Sequence, residues 1–150
     1  MAKALSHQQI LALPLHQQAL AWEERRHQAR LHEIKQIAAT LALLQPLQAA
    51  IAAAGANIYA NDITPVYGKR QTLRITTAFT SAEVFLAKAL LRVGFTIVER
   101  DDHRLRTVVF KRGRLSIQMC MTEENLARAE QEFATAAAPA PARAESEVAA

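Results

Sequence analysis

The spacing of apolar residues changes character along the chain. From Leu15 to Ala54 the residues are mostly Ala, Leu, Gln, Glu, Arg and Lys, all good helix formers, and glycine is absent. Ile34, Ile37, Leu41, Leu44, Leu47 and Ile51 recur at intervals of three and four, which places them on one helical face. The stretch before them, residues 23–30, has no large apolar side chain, and Leu13, Leu15, Leu20 and Trp22 precede it. The pattern predicts a helical arm with an apolar base, a solvated middle and an apolar tip. One helix over 14–45 would be about 48 Å long. A hairpin turning in the polar stretch is the alternative, but that stretch has no Gly, Pro, Asn or Ser to make the turn.

The arm's punctuation is also legible. Ser6 and Gln9 form a capping-box pattern for a short helix, and Pro14 suits the first turn of the next. Pro46 removes a helical hydrogen bond and predicts a kink near Leu44. Gly55 suits the C-terminal end. Too few apolar heptads are present for a self-sufficient coiled coil. Trp22, Ile34, Ile37, Leu41 and Leu44 are the candidate residues for an oligomer or partner interface.

Beyond Gly55 the period shortens. Residues 57–63 and 71–79 read as two strands, the second alternating well, and a Pro- and Gly-marked loop joins them as a hairpin. Thr80 and Glu83 suggest a capping box, with Phe85, Leu86, Ala89, Leu90 and Val93 as the buried face of the following helix. Three strands follow, over 95–100, 105–111 and 115–121, with links short enough to make them antiparallel neighbours. Thr122 then caps a last helix that turns Leu126, Ala129 and Phe133 inward. Residues 138–150 are Ala/Pro-rich, have nothing to bury, and read as a disordered tail. The expected fold is α+β: a long N-terminal helical arm (1–55), then a β-β-α-β-β-β-α body (56–137) with one antiparallel sheet and helices on one face.

The α-β-β-β-α order over 81–134 resembles the double-stranded RNA-binding domain in topology. That family carries lysines at the start of its last helix to meet phosphates. Here the place reads Thr122-Glu123-Glu124-Asn125-Leu126-Ala127, which would repel them. The resemblance therefore implies an architecture and no binding residues.

Composition narrows the class. Alanine supplies much of the 51% hydrophobic content, and the formal net charge is +4. The single cysteine, Cys120, excludes a disulfide scaffold and fits a reducing cytoplasm. Charged and polar interruptions break up every long apolar run, so no membrane span is expected. The Ile10–Leu15 stretch is too short for a secretory signal. Charge is unevenly placed. Residues 1–55 carry five basic and three acidic groups, residues 56–122 eleven and five, and residues 123–150 two and six.

The basic excess thus lies in the sheet and its loops. Tyr67, Lys69, Arg70, Arg74, Arg104, Arg106, Lys111, Arg112 and Arg114 are the candidates for binding nucleic acid or another acidic partner. Arginine is favoured there, and its planar fork reads phosphate and carboxylate well. Phe110 would add a stacking ring if it faced outward and belongs to the core if it faces inward. Catalytic and metal-binding arrangements are weak. Gly68-Lys69-Arg70 lacks the rest of a phosphate loop, Cys120 has no base placed beside it, and Glu23 with His27 makes only two ligands. No enzyme, metal or cofactor is expected. The expectation is a small binding or accessory protein for nucleic acid or a nucleoprotein, oligomeric through its arm. A compact inhibitor or adaptor of a phage or plasmid, acting on a host protein complex, is the alternative.

Overall fold

The structure is a computed structural model that describes residues 5–101 and 106–137, with the side chain of Arg106 excepted. The expected tail, residues 138–150, lies outside the described residues.

The helical arm is present. Helix α1 (His7–Leu11) opens on the Ser6 capping box, with Gln9 N–H donating to Ser6 Oγ at 3.3 Å and Ser6 N–H to Gln9 Oε1 at 2.8 Å. Helix α2 (Leu15–Leu44) runs unbroken for 30 residues through the polar stretch. Pro46 ends it: Gln45–Leu47 tighten into a 3₁₀ turn before α3 (Gln48–Ala53). Taken together, Leu15–Ala53 are long and apolar enough to cross a membrane by length and composition alone, a test that the core helix of a soluble protein also passes. Ile37, Leu44 and Ile51 of this stretch belong to the protein's main core.

The arm does not stand clear of the body. α1 folds back on α2, and the Trp22 ring lies edge-on to His7 with centroids 5.1 Å apart. Arg30 anchors the middle of α2 by donating to the carbonyls of Ala60 (2.9 Å) and Ile63 (3.0 Å). The C-terminal half of α2 touches β1 (Ile63–Pro65), β2 (Thr72–Ile75) and β5 (Leu115–Met121).

With β3 (Thr96–Arg100) and β4 (Arg106–Arg112) these strands form one sheet in the order β1-β2-β5-β4-β3. Strand β5 sits between β4, its antiparallel partner, and β2, beside which it runs parallel. The sheet is therefore mixed, not purely antiparallel. Helix α4 (Thr80–Arg92) carries the chain from β2 across to β3, so β2 never gains a sequential neighbour beyond β1. The first two strands are shorter than their sequence pattern, because Ala60–Asp62 form a 3₁₀ turn and pairing ends at Ile75.

Alternation sorts the sheet into two faces. Leu73, Ile75, Val108, Phe110, Ile117, Met119 and Met121 share one core with Val84, Leu86 and Leu90 of α4 and with Leu126 and Ala129 of α5 (Glu123–Ala137). Phe110 is fully buried there, so it offers no outward stacking ring. The two helices run side by side in the same direction. Asn125 donates to Glu83 at 3.0 Å, and further along both helices Lys88 Nζ lies 2.5 Å from Glu132. Glu83 is thus held by α5 and closes no capping box; Phe79, not Thr80, precedes the first turn of α4. The buried face of α4 includes Val84 and Ala87, while Phe85 points outward beside Lys88. Thr122 caps α5 as expected, accepting from Asn125 N–H at 3.2 Å.

Candidate functional site

The opposite sheet face and one of its ends hold most of the basic candidates. In register across the sheet lie Arg74, Gln118, Val109 and Glu99, all of the parity opposite to the core. Nearer the sheet's end lies the row Thr72, Ser116, Lys111 and Thr96. Beyond this row are the 66–71 loop, before β2, and the Arg112–Leu115 turn between β4 and β5. That turn has Gly113 at its first central position with φ +57°, the left-handed conformation a type II′ turn needs there. Because β2 and β5 are parallel, Arg70 and Arg114 stand at equivalent positions, each two residues before the paired Thr72 and Ser116. Strand spacing is about 4.8 Å, so the segments carrying the two arginines lead into neighbouring strands at the same end of the sheet.

The 66–71 loop leans over the open face. Lys69 Nζ reaches Glu99 Oε2 at 3.2 Å, although β5 and β4 lie between β2 and β3. The two central members of the Glu99 row, Gln118 and Val109, are only 6% and 5% exposed. Gln118 Oε1 is buried there without a hydrogen-bond partner among the described residues. Gln71, at the loop's end, has φ +56° and is the one non-glycine residue with positive φ among the described residues. Its carbonyl accepts from Ser116 N–H at 2.9 Å, which ties the strained residue to β5. Between this loop and α2 is a cleft of about 490 Å³, lined on one side by Gln36, Ile37 and Thr40 and on the other by Pro65–Thr72.

Basic groups without an ion pair are densest at the same end, although Arg25 and Lys35 on α2 and Arg92 on α4 also form none among the described residues. Arg70, Arg74, Lys111, Arg112 and Arg114 are exposed and form no ion pair among the described residues. By contrast, Arg26, Arg30, Lys88, Arg100 and Arg128 are each paired with a glutamate. Glu123 and Glu124 begin α5 at the other end of β5, about 20 Å away at 3.4 Å per residue. Acid and base are therefore separated along the strands.

The structure thus brings together Tyr67, Lys69, Arg70, Lys111, Arg112 and Arg114, with Arg74 one row inward. It separates Arg106 from them: its backbone pairs with Met121, at the far end of β4. Arg104 and the side chain of Arg106 lie outside the described residues. Tyr67 is 81% exposed. Gln36, Thr40 and Gln71 of the cleft were not candidates. Uncharged residues on two elements that meet only through tertiary packing leave no local signal.

The arm candidates divide. Ile37 and Leu44 are buried in the protein's own core and Leu41 packs against it, whereas Ile34 is exposed. Trp22 is half-buried between His7 and Arg25, whose guanidinium lies 5.6 Å from the ring centre. Among the described residues no three His, Cys, Asp or Glu side chains are grouped as a metal site would need. Comparison of the chain with protein-family models, with curated proteins and with solved structures finds no match.

Proposed function

We propose that the chain is a small non-enzymatic binding protein of the cytoplasm that docks nucleic-acid phosphates on the basic end of its sheet. The arm mediates oligomerisation. One observation carries the reading: Arg70, Lys111, Arg112 and Arg114 converge at one sheet end, and none of them forms an ion pair among the described residues. Unpaired arginines at strand-entry positions can each donate to phosphate oxygens, and every phosphate neutralised releases counterions. The cleft beside Lys69 and Arg70 would seat one phosphate or an adjoining base, with Tyr67 at its mouth.

A specific feature supports a second reading. With Phe110 in the core, Tyr67 is the single exposed ring near the basic end among the described residues, too little for a stacking platform. The contact surface then suits a duplex backbone or an acidic protein surface better than a single strand. In the latter case the protein would be an interaction module, such as an inhibitor or adaptor of a mobile element. Fluorescence anisotropy with labelled duplex DNA, duplex RNA and single strands, titrated against salt, tests the proposal. The expected result is binding to duplex that weakens steeply as salt rises. No binding to any of them at about 50 mM salt would overturn the nucleic-acid reading.

A further inference from the structure

Helix α2 has a second face that its own chain leaves uncovered. Ile37, Thr40 and Leu44 are its buried positions and point into the body. About 140° around the helix, at 100° per residue, lie Gln17, Leu20, Glu24, His27, Leu31 and Ile34, and all six are exposed. Leu20 is 60% exposed, Leu31 38% and Ile34 41%. Their spacings are 3, 4, 3, 4 and 3, the seven-residue repeat of a two-helix seam.

We infer that this face docks on a second copy of the same chain, antiparallel, about a two-fold axis between Arg25 and Arg26. The inference rests on the arm-pairing part of the function proposed above and specifies its face and register. The occupant is argued from self-complementarity. An isologous contact requires a surface that matches itself under a two-fold rotation. Reversing the six positions about that midpoint sets Gln17 opposite Ile34, Leu20 opposite Leu31 and Glu24 opposite His27. The leucines thus meet each other, and each central carboxylate meets an imidazole. Sliding the second helix by one heptad sets Glu24 against Ile34 in one direction, or against Leu20 in the other. Either slip sets a carboxylate against an alkyl group, which is unfavourable. The polar pair at the centre therefore selects one register, at some expense in affinity.

The side chains are free to make this contact. Gln28 Nε2 donates to Glu24 Oε1 at 2.7 Å, which steadies the carboxylate and leaves its other oxygen open. Neither ring nitrogen of His27 has a partner among the described residues. The charged residues next to the pair on α2 are engaged elsewhere: Glu23 with Arg26, Arg30 with Glu33, and Arg25 over the Trp22 ring. The seam spans about 26 Å, from residue 17 to residue 34. The two bodies then lie at opposite ends of the paired helices.

Sedimentation equilibrium of the full chain, over a concentration range into the high micromolar, is the test. Wild type is expected to dimerise. Leu20→Glu with Leu31→Glu, both surface changes, is expected to be monomeric with unchanged circular dichroism. Glu24→Lys is expected to weaken the dimer roughly tenfold, equivalent to about 1.4 kcal/mol, and His27→Glu added to it to restore affinity. In a Cys120→Ser background, cysteines at 20 and 31 should oxidise to a covalent dimer, and cysteines at 20 and 38 should not. A wild type that stays monomeric overturns this inference together with arm pairing. A dimer indifferent to the leucine and Glu24 changes overturns only the face and register. Salt-dependent binding of duplex by the basic end is read separately in either case.

Discussion

Gln118 illustrates how a single side chain reports on its surroundings. On an open sheet face a glutamine would be solvated, yet here its carbonyl oxygen is buried with no donor among the described residues. A buried acceptor left unpaired costs about 1–3 kcal/mol. Gln118→Met keeps the volume and removes the acceptor, so it is predicted to raise stability by about 1 kcal/mol in urea unfolding. A clear loss would mean that the amide is satisfied in solution. Glu132 gives a pH prediction. Hydrogen bonds from Lys88 and then Arg128 hold its carboxyl below the usual value of 4.5. The charged form is favoured in the folded state, so the stabilisation is complete above 4.5 and is lost as pH falls through the lowered folded value. Glu132→Gln should therefore melt below wild type at pH 7, and the two melting curves should converge in acid. A gap that persists in strong acid would contradict the assignment.

Elements were legible where a local pattern was enforced by burial. The alternation of Leu115, Ile117, Met119 and Met121 survives as β5, and the helix-forming composition of 15–44 survives as α2. The 71–79 alternation did not survive in full, because a strand also needs a neighbour and β2 loses its own after Ile75. The parallel pairing of β2 with β5 was invisible, since the partners are some 40 residues apart and only packing of α4 brings them together. For the same reason the basic residues could be named from sequence, while the cleft between α2 and the 66–71 loop could not. Helix α2 itself should not behave uniformly. Its residues 23–29 are all exposed, whereas Ile37, Thr40 and Leu44 are buried. Hydrogen exchange at low protein concentration should therefore show weak protection around 23–29 and strong protection around 37–44. Uniform protection along α2 in the monomer would contradict this.

For the whole molecule, the net charge of +4 averages over unlike parts. Paired charges cover the α4–α5 side, where Lys88, Arg100 and Arg128 meet Glu132 and Glu130. Arginines with no ion pair among the described residues collect at one end of the sheet, and the acidic start of α5 stands at the other. If phosphate binding is the function of that end, the effect must be local to it. The most direct measurement is the dependence of duplex-DNA affinity on salt for wild type and for Arg70→Ala/Arg112→Ala/Arg114→Ala, with Arg26→Ala/Arg128→Ala as the control. The triple variant is predicted to bind more weakly, with a salt slope shallower by about 0.9 for each phosphate no longer neutralised, while the control keeps the wild-type slope. An unchanged slope in the triple variant, or an equal weakening in the control, would contradict the account.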